Sequence, residues 1–439
     1  MANDYVDQVN VKGVDYDLRE AAGNSSGIRT DGDQSLTPDQ QAQARKNLGL
    51  AKRYGYRRAK GNSDPEGRIT YLYDAVNMTP AKMTFDAETH VGAFDYGSWQ
   101  GFVEAIARPV MLKNDGTVDY ELDHEDQTKK ADGTASDISN TVYEGNAMVE
   151  IGSAFKYVKR YEDDDYQYVI FSDVQYDESY HAYAHTGDDG NVKDAFYVGM
   201  FTGPYVDNKL RSLATGSCPV SQTAEVEITR AKANGSNFYI LYKSAWEYIG
   251  DVLTLIGKND NVQAVFGSGV DKRKNSITAP GEYKAQGPFC GTDDGLHTVK
   301  TLWIENLWGN MWQRLAGYIN NSGSILTRMY GPYCDTPASA ADYSTYTNSG
   351  VTPSGTSGGY AKTAVLTDET GLVIEELSGS STTYLCDGGW FNNGQVDFAF
   401  VGAYSGDAAG LAGPRCVYVY NAASHASGNI GSRLSKKPA

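Results

Sequence analysis

The spacing of apolar residues divides the chain into helical and extended segments. In SAWEYIGDVLTLIGK, residues 244–258, Trp246, Ile249, Leu253 and Ile256 recur at the three- and four-residue intervals of one helix face. Ser244 and Glu247 stand at capping-box positions and Gly257 offers a stop, which predicts an amphipathic helix carrying much of the core. SLTPDQQAQARKNLGL, residues 35–50, predicts a second helix, with Thr37 as cap, Pro38 at the first position, Gln40 at the third and Gly49 at the end. At about eleven residues it is too short to stand alone in water and should pack against neighbours. Trp99, Phe102, Val103 and Ile106 mark one face of a third helix, which Pro109 should end.

Extended segments show the two-residue period or short apolar bursts. NAMVEIGSAFKYVKRY (146–161) and YQYVIFSDV (166–174) predict strands, with EDDDY (162–166) as the exposed tip between them. LKNDGTVDYEL (112–122) places an Asp-Gly turn between apolar positions and predicts a hairpin. VNVKGVDYDLRE (9–20) reads as a small hairpin or extended piece, followed by the linker AAGNSSGIRTDGDQ. In VYVY (417–420) alternation puts Val417 and Val419 on one face and Tyr418 and Tyr420 on the other, with the valines as core. Residues 335–360, rich in Ser, Thr and Gly, predict a long loop or exposed insertion. These elements give an α+β chain in two parts: residues 1–60 as an attachment region with linker and short helix, and residues 61–439 as one large domain with long irregular loops.

Composition narrows the partners. A chain of 439 residues with 48 glycines and 32 tyrosines suits a globular fold of many tight turns and aromatic-bearing strands. A formal charge of −17, with only short basic clusters, repels a phosphate backbone and argues against nucleic acid. No segment reads as a secretory signal or a membrane-spanning helix. The five cysteines, Cys218, Cys290, Cys334, Cys386 and Cys416, are scattered without metal-ligand spacing and are expected to be mostly buried free thiols of a protein folded in a reducing cytoplasm.

Catalytic patterns are missing. His181 and His185 lie four apart, but DESYHAYAHTGDDG is polar and glycine-bounded, so they are expected in a solvated loop rather than on a metal. The acidic stretches EDDDY, GDDG (187–190) and GTDDG (291–295) could offer oxygen ligands to a structural calcium, although none follows the twelve-residue calcium loop. No GxSxG elbow, phosphate-binding loop or dinucleotide fingerprint is present, and neither enzyme activity nor a cofactor is expected.

Recognition chemistry concentrates near the C-terminal end. Residues 380–435 alternate short apolar bursts with glycine-rich loops that carry Trp390, Phe391, Asn392, Asn393, Tyr404, Asp407, Arg415, Tyr418, Tyr420 and His425. Tyr, Trp and Arg provide large rigid contact area or directed donors, and Asn adapts its polar contacts, so these ten residues are the candidate exposed ligand-binding set.

Three segments carry family resemblances. LTPDQQAQARKNLG resembles an LT-x-x-Q-x-x-x-A-R-x-N-(I/L)-G segment of bacteriophage tail-fibre attachment regions. ENLWGNMWQ is similar, at Gly309, Asn310, Trp312 and Gln313, to the Gly-Asn-x-Trp-(Glu/Gln) signature of the C-type-lectin-like fold of the formylglycine-generating-enzyme superfamily, with Gln313 in place of the commoner glutamate. Asn429 to Leu434 resemble the W-N-I-G-(A/S)-R-L ending of variable proteins diversified by retroelements, with Gly428 in place of the tryptophan. The resemblance implies a homotrimeric phage tail protein, made in the host cytoplasm and carried on the virion. Its lectin-like domain would bind a bacterial surface protein or glycan, and its N-terminal part would join other tail proteins. It implies too that Trp303, Trp308, Gly309, Asn310 and Trp312 support the fold from inside, as Trp246 does from its helix. The alternatives are a purely structural fibre or baseplate protein and a glycan depolymerase, which would need a carboxylate pair in a groove.

Overall fold

The computed structural model describes residues 8–11, 14–17, 37–270, 277–337, 340–355 and 357–439. The linker at 21–34 lies outside the described residues. Three sheets and one buried helix organise the mixed α+β chain.

The first described elements are the short strands Gln8–Val11 and Val14–Asp17, paired antiparallel as the sequence suggested. Helix Pro38–Asn47 follows, closed by a reciprocal capping box. Gln40 N donates to Thr37 Oγ at 3.3 Å, and Thr37 N donates to Gln40 Oε1 at 2.9 Å. Gly49 ends it at φ +65°, a left-handed conformation that glycine adopts without a Cβ penalty. The helix docks on its own chain: Arg45 pairs with Asp173, and Lys46 Nζ donates to the carbonyls of Gln175 at 3.0 Å and Tyr176 at 3.2 Å.

Strand Arg53–Ala59 is hydrogen-bonded on both edges within a four-stranded antiparallel sheet, between Tyr166–Ser172 and Ile69–Tyr73. The four-stranded sheet therefore takes in residues 53–59, within the first sixty residues. Tyr157–Glu162 completes this sheet, joined to Tyr166–Ser172 across the acidic tip, where Asp163 accepts from the amides of Asp165 and Tyr166.

Helix Gln100–Ile106 buries Phe102, Val103 and Ile106 as expected, but it ends before Pro109. The position before proline disfavours helix, and Ala107 is already extended at φ −142° and ψ 146°. Pro109 instead lies inside strand Ala107–Lys113, opposite Val149. This strand and Val118–Glu121 form the expected Asp-Gly hairpin, an edge of a six-stranded sheet. Beyond Gly145–Ile151 and Phe196–Gly199, strand Leu434–Lys436 inserts beside Phe238–Ile240.

Helix Lys243–Gly257 is buried over its entire length, not on one face. Its N-cap is Tyr242, without a side-chain cap bond, so the Ser244–Glu247 capping box does not form. Glu247 is drawn elsewhere: it pairs with Lys243 and accepts from Arg415 Nη1 at 3.0 Å. One turn on, Asp251 takes Arg160 Nε at 2.8 Å, Arg415 Nη2 at 2.6 Å and the Tyr56 hydroxyl at 3.2 Å. Burial alone would raise the Glu247 carboxyl, but Lys243, Arg415 and Arg160 hold it below the ordinary carboxylate range. The helix can enter the core on its polar side because distant arginines neutralise that side.

The largest sheet forms the C-terminal half. From one edge it runs Thr347–Asn348, Ser324–Thr327, Trp312–Asn321, Val396–Gly402, Gly413–Asn421, Gly388–Phe391 and Gly359–Tyr360, with Ile430–Gly431 parallel to Trp312–Asn321. The segment expected as a long loop at 335–360 contributes both edge strands and buries Tyr343 and Val351.

Candidate functional site

Register builds an aromatic row across the large sheet. Trp390 lies opposite Tyr418, Tyr418 opposite Phe400, and Phe400 opposite Arg314, so these four side chains share one face. Tyr418 is the hub. Its ring lies 5.3 Å from Trp312, 5.8 Å from Trp390, 5.9 Å from Phe400 and 5.8 Å from Tyr420, centroid to centroid. Trp312 meets Trp390 edge to face at 5.7 Å and 89°, a geometry that favours the ring quadrupoles. The row grades from a buried floor to an open rim: Phe400 and Trp312 are buried, Trp390 and Tyr418 half-buried, and Tyr420 is 42% exposed. Burial raises the Tyr418 phenol, which accepts a 3.2 Å hydrogen bond from Asn421 Nδ2.

Two members of the candidate set are not on this face, and their exposure is corrected. Phe391 lies opposite buried Val419 and is wholly buried, because the alternation that turns Trp390 outward turns its neighbour inward. Arg415 shares parity with Val417 and Val419 and points to the buried helix, where Glu247 and Asp251 hold its guanidinium.

The other candidates sit in loops. Asn392 Oδ1 accepts from Gly394 N at 3.0 Å, and Asn393 links to Asn320 at 3.2 Å and to the Pro353 carbonyl at 3.1 Å. Asp407 accepts from Tyr404 N at 3.0 Å, closing a local turn. His425 is exposed, and its carbonyl accepts from Arg314 Nη2 at 2.6 Å. The Asn393 and His425 segments are thus tied to strand Trp312–Asn321, and the Tyr404–Asp407 turn is closed on itself, so these loops present a largely preorganised surface. The candidate set omitted Asn421 and Gln395. Gln395 Nε2 donates to Asp397 Oδ1 at 2.6 Å and contacts the Tyr420 carbonyl at 3.4 Å. The only signal for Asn421 was its place immediately after VYVY.

Beneath the row lies the segment that carried the lectin-like resemblance. Trp303, Trp308, Asn310, Trp312 and Trp246 are all buried. Trp303 Nε1 donates to the His124 carbonyl at 2.9 Å, and the Asn310 amide exchanges bonds with Thr278 N and O at 2.8 and 3.0 Å. Gly309 has φ +85°, and a Cβ there would run into the Gly269 carbonyl, so only glycine fits. The NIGSRL segment packs on the same place. Ile430 and Gly431 pair with Trp312 and Gln313, Ser432 donates to Glu227, and Arg433 reaches Gln313.

The remaining candidate chemistry resolves into structural bonds. His185 is not in a solvated loop: it is buried in the turn Tyr183–His185, with Nε2 at 2.8 Å from the Gly152 carbonyl and its ring against Phe196 and Tyr248. His181 pairs with Asp368, and no cluster of three or more His, Cys, Asp or Glu poised for a metal occurs among the described residues. In the acidic turns, Asp189 pairs with Lys193 at 2.9 Å and Asp294 with His297 at 3.0 Å. All five cysteines are free thiols; Cys218, Cys386 and Cys416 are buried, and Cys290 and Cys334 partly so. No protein-family model matches the chain, and no curated protein shows significant similarity to it.

Proposed function

We propose that the chain is a receptor-binding protein of a bacteriophage tail, and that it recognises a bacterial surface protein or glycan through the face formed by Trp390, Tyr418 and Tyr420. The observation that carries this reading is the graded aromatic row, fixed from below by Trp312 and rimmed by tied polar loops. Rings already held in place lose little freedom on binding, and Trp and Tyr dominate binding hot spots. The lectin-like and attachment-segment resemblances supply the phage context, with trimeric display multiplying weak single contacts.

The test is staining of intact bacteria by labelled protein, wild type against Tyr420→Ala. Strain-specific staining that the substitution abolishes, at unchanged thermal stability, supports the reading. Staining equal to wild type removes this face from recognition. If wild type stains no strain in a panel that includes a phage-sensitive host, a purely structural tail component becomes the better account.

A further inference from the structure

We propose a second ligand site, for a neutral oligosaccharide, in the cleft bounded by His181, Tyr183, Arg328, Tyr330 and Glu369. The cleft holds about 560 Å³, within the range of roughly 300–1,000 Å³ typical of small-molecule sites. It lies at the Thr347–Asn348 edge of the large sheet, on the far side from the strands that carry Tyr418, Tyr420 and Trp390. Strand Thr347–Asn348 borders it, four strand spacings from Gly413–Asn421, which is about 19 Å at roughly 4.8 Å per spacing. The site stands whether or not the C-terminal face binds a receptor.

Its chemistry is that of a sugar platform. The Tyr330 ring, 37% exposed, stacks on Tyr183 at 6.1 Å and 8°. Tyr183 in turn stacks on His181 at 5.0 Å and 14°. Asp368 fixes the far end of this pile, since it pairs with His181 and hydrogen-bonds to Tyr183. The result is a rigid run of near-parallel rings with its outermost member in the cleft, the surface on which the C–H face of a pyranose packs.

Polar groups stand beside that platform. Arg328 donates to the carbonyls of Tyr330 at 3.0 Å, Thr345 at 3.1 Å and Gly331 at 3.4 Å, which clamps two walls together. Among the described residues those bonds use three of its five N–H groups and leave two for ligand hydroxyls. Glu369, exposed on the other side, offers two acceptor oxygens. Charge disfavours an anionic ligand: Arg328 and Glu369 carry opposite formal charges at the cleft, and the chain as a whole is acidic.

The experiment is calorimetric titration of the full chain with maltotriose, chitotriose and mannotriose, with a galacturonic acid trimer as the charged comparison. At least one neutral trisaccharide should bind with a Kd between about 10 µM and 1 mM. Tyr330→Ala and Glu369→Gln, both at exposed positions, should each weaken it by about tenfold or more, and Tyr420→Ala should leave it unchanged. Three results would overturn the proposal: no neutral trisaccharide binding at about 10 mM, tighter binding of the acidic trimer, or folded cleft variants that bind as wild type. If the saccharide signal is lost in Tyr420→Ala instead, this site is refuted and the receptor-binding reading survives.

Discussion

Arg433 donates from Nε to Gln313 Oε1 at 2.8 Å, with both side chains wholly buried, and so joins two sequence segments more than a hundred residues apart. The other guanidinium donors end on the carbonyls of Gly199, Glu305 and Asn306, and Gln313 Nε2 serves the carbonyls of Asn306 and Leu307, both at 2.9 Å. Here the glutamine amide does what a carboxylate cannot, because it accepts from the arginine and donates to the backbone. Gln313→Glu would set an anionic oxygen against two carbonyl oxygens. Despite the added attraction to Arg433, it should destabilise the protein by about 2 kcal/mol, read from denaturant unfolding. Unchanged or increased stability would refute this account.

Trp312 is the floor of the aromatic row and only 5% exposed. Trp312→Ala should cost about 3–5 kcal/mol and lower the melting temperature sharply. A stable, folded variant with binding alone lost would show that the ring belongs to the contact surface.

Tyr418 and Tyr420 differ in kind. Tyr418 touches four other rings, so Tyr418→Ala should cost about 2 kcal/mol of stability as well as any binding. Tyr420→Ala should change stability by less than about 0.5 kcal/mol. Paired melting curves separate the two, and equal losses would contradict the graded burial.

Arg415 is an internal counter-ion. Arg415→Ala leaves Glu247 and Asp251 short of a partner inside the core and should cost about 3–5 kcal/mol in chemical denaturation. A folded variant with a binding defect would return the residue to the surface.

His185 couples stability to pH. Burial lowers its pKa to about 4, whereas the unfolded chain takes up that proton near pH 6.5. Between these values the unfolded state binds more protons, so the contribution is complete above pH 6.5 and is lost as pH falls towards 4. The loss should reach about 3 kcal/mol. His185→Gln should remove this part of the pH dependence, and identical pH profiles for the two proteins would refute the assignment.

Local pattern was legible where one residue's chemistry decides the outcome. The Thr37–Gln40 box, the Asp115–Gly116 hairpin and the alternation of VYVY all appear in the structure as they read in the sequence. Phe391 and Arg415 lie inside because strand parity, not side-chain type, decides which way each points. The parity that made Val417 core makes Arg415 core as well, and the inward neighbour of Trp390 follows by the same rule. Parity was available in the sequence, but the partners of Arg415 were not. Glu247 and Asp251 precede it by 168 and 164 positions, and only tertiary folding makes an arginine tolerable there. Ser244 and Glu247 satisfied a capping pattern, yet tertiary ion pairs outcompeted the local bond. His185 looked hydrated because its neighbours are polar, whereas its surroundings are set by Phe196 and Tyr248.

Strand Leu434–Lys436 lies within the six-stranded sheet, bonded to Phe196–Gly199 on one side and to Phe238–Ile240 on the other. Without residues 434–436 the facing edges of Phe196–Gly199 and Phe238–Ile240 have no strand between them, and their backbone donors and acceptors on that side go unpaired. The seam between those two strands is thus closed by a segment distant from both in sequence, so the cohesion of this sheet there is a property of long-range closure and not of any local hairpin.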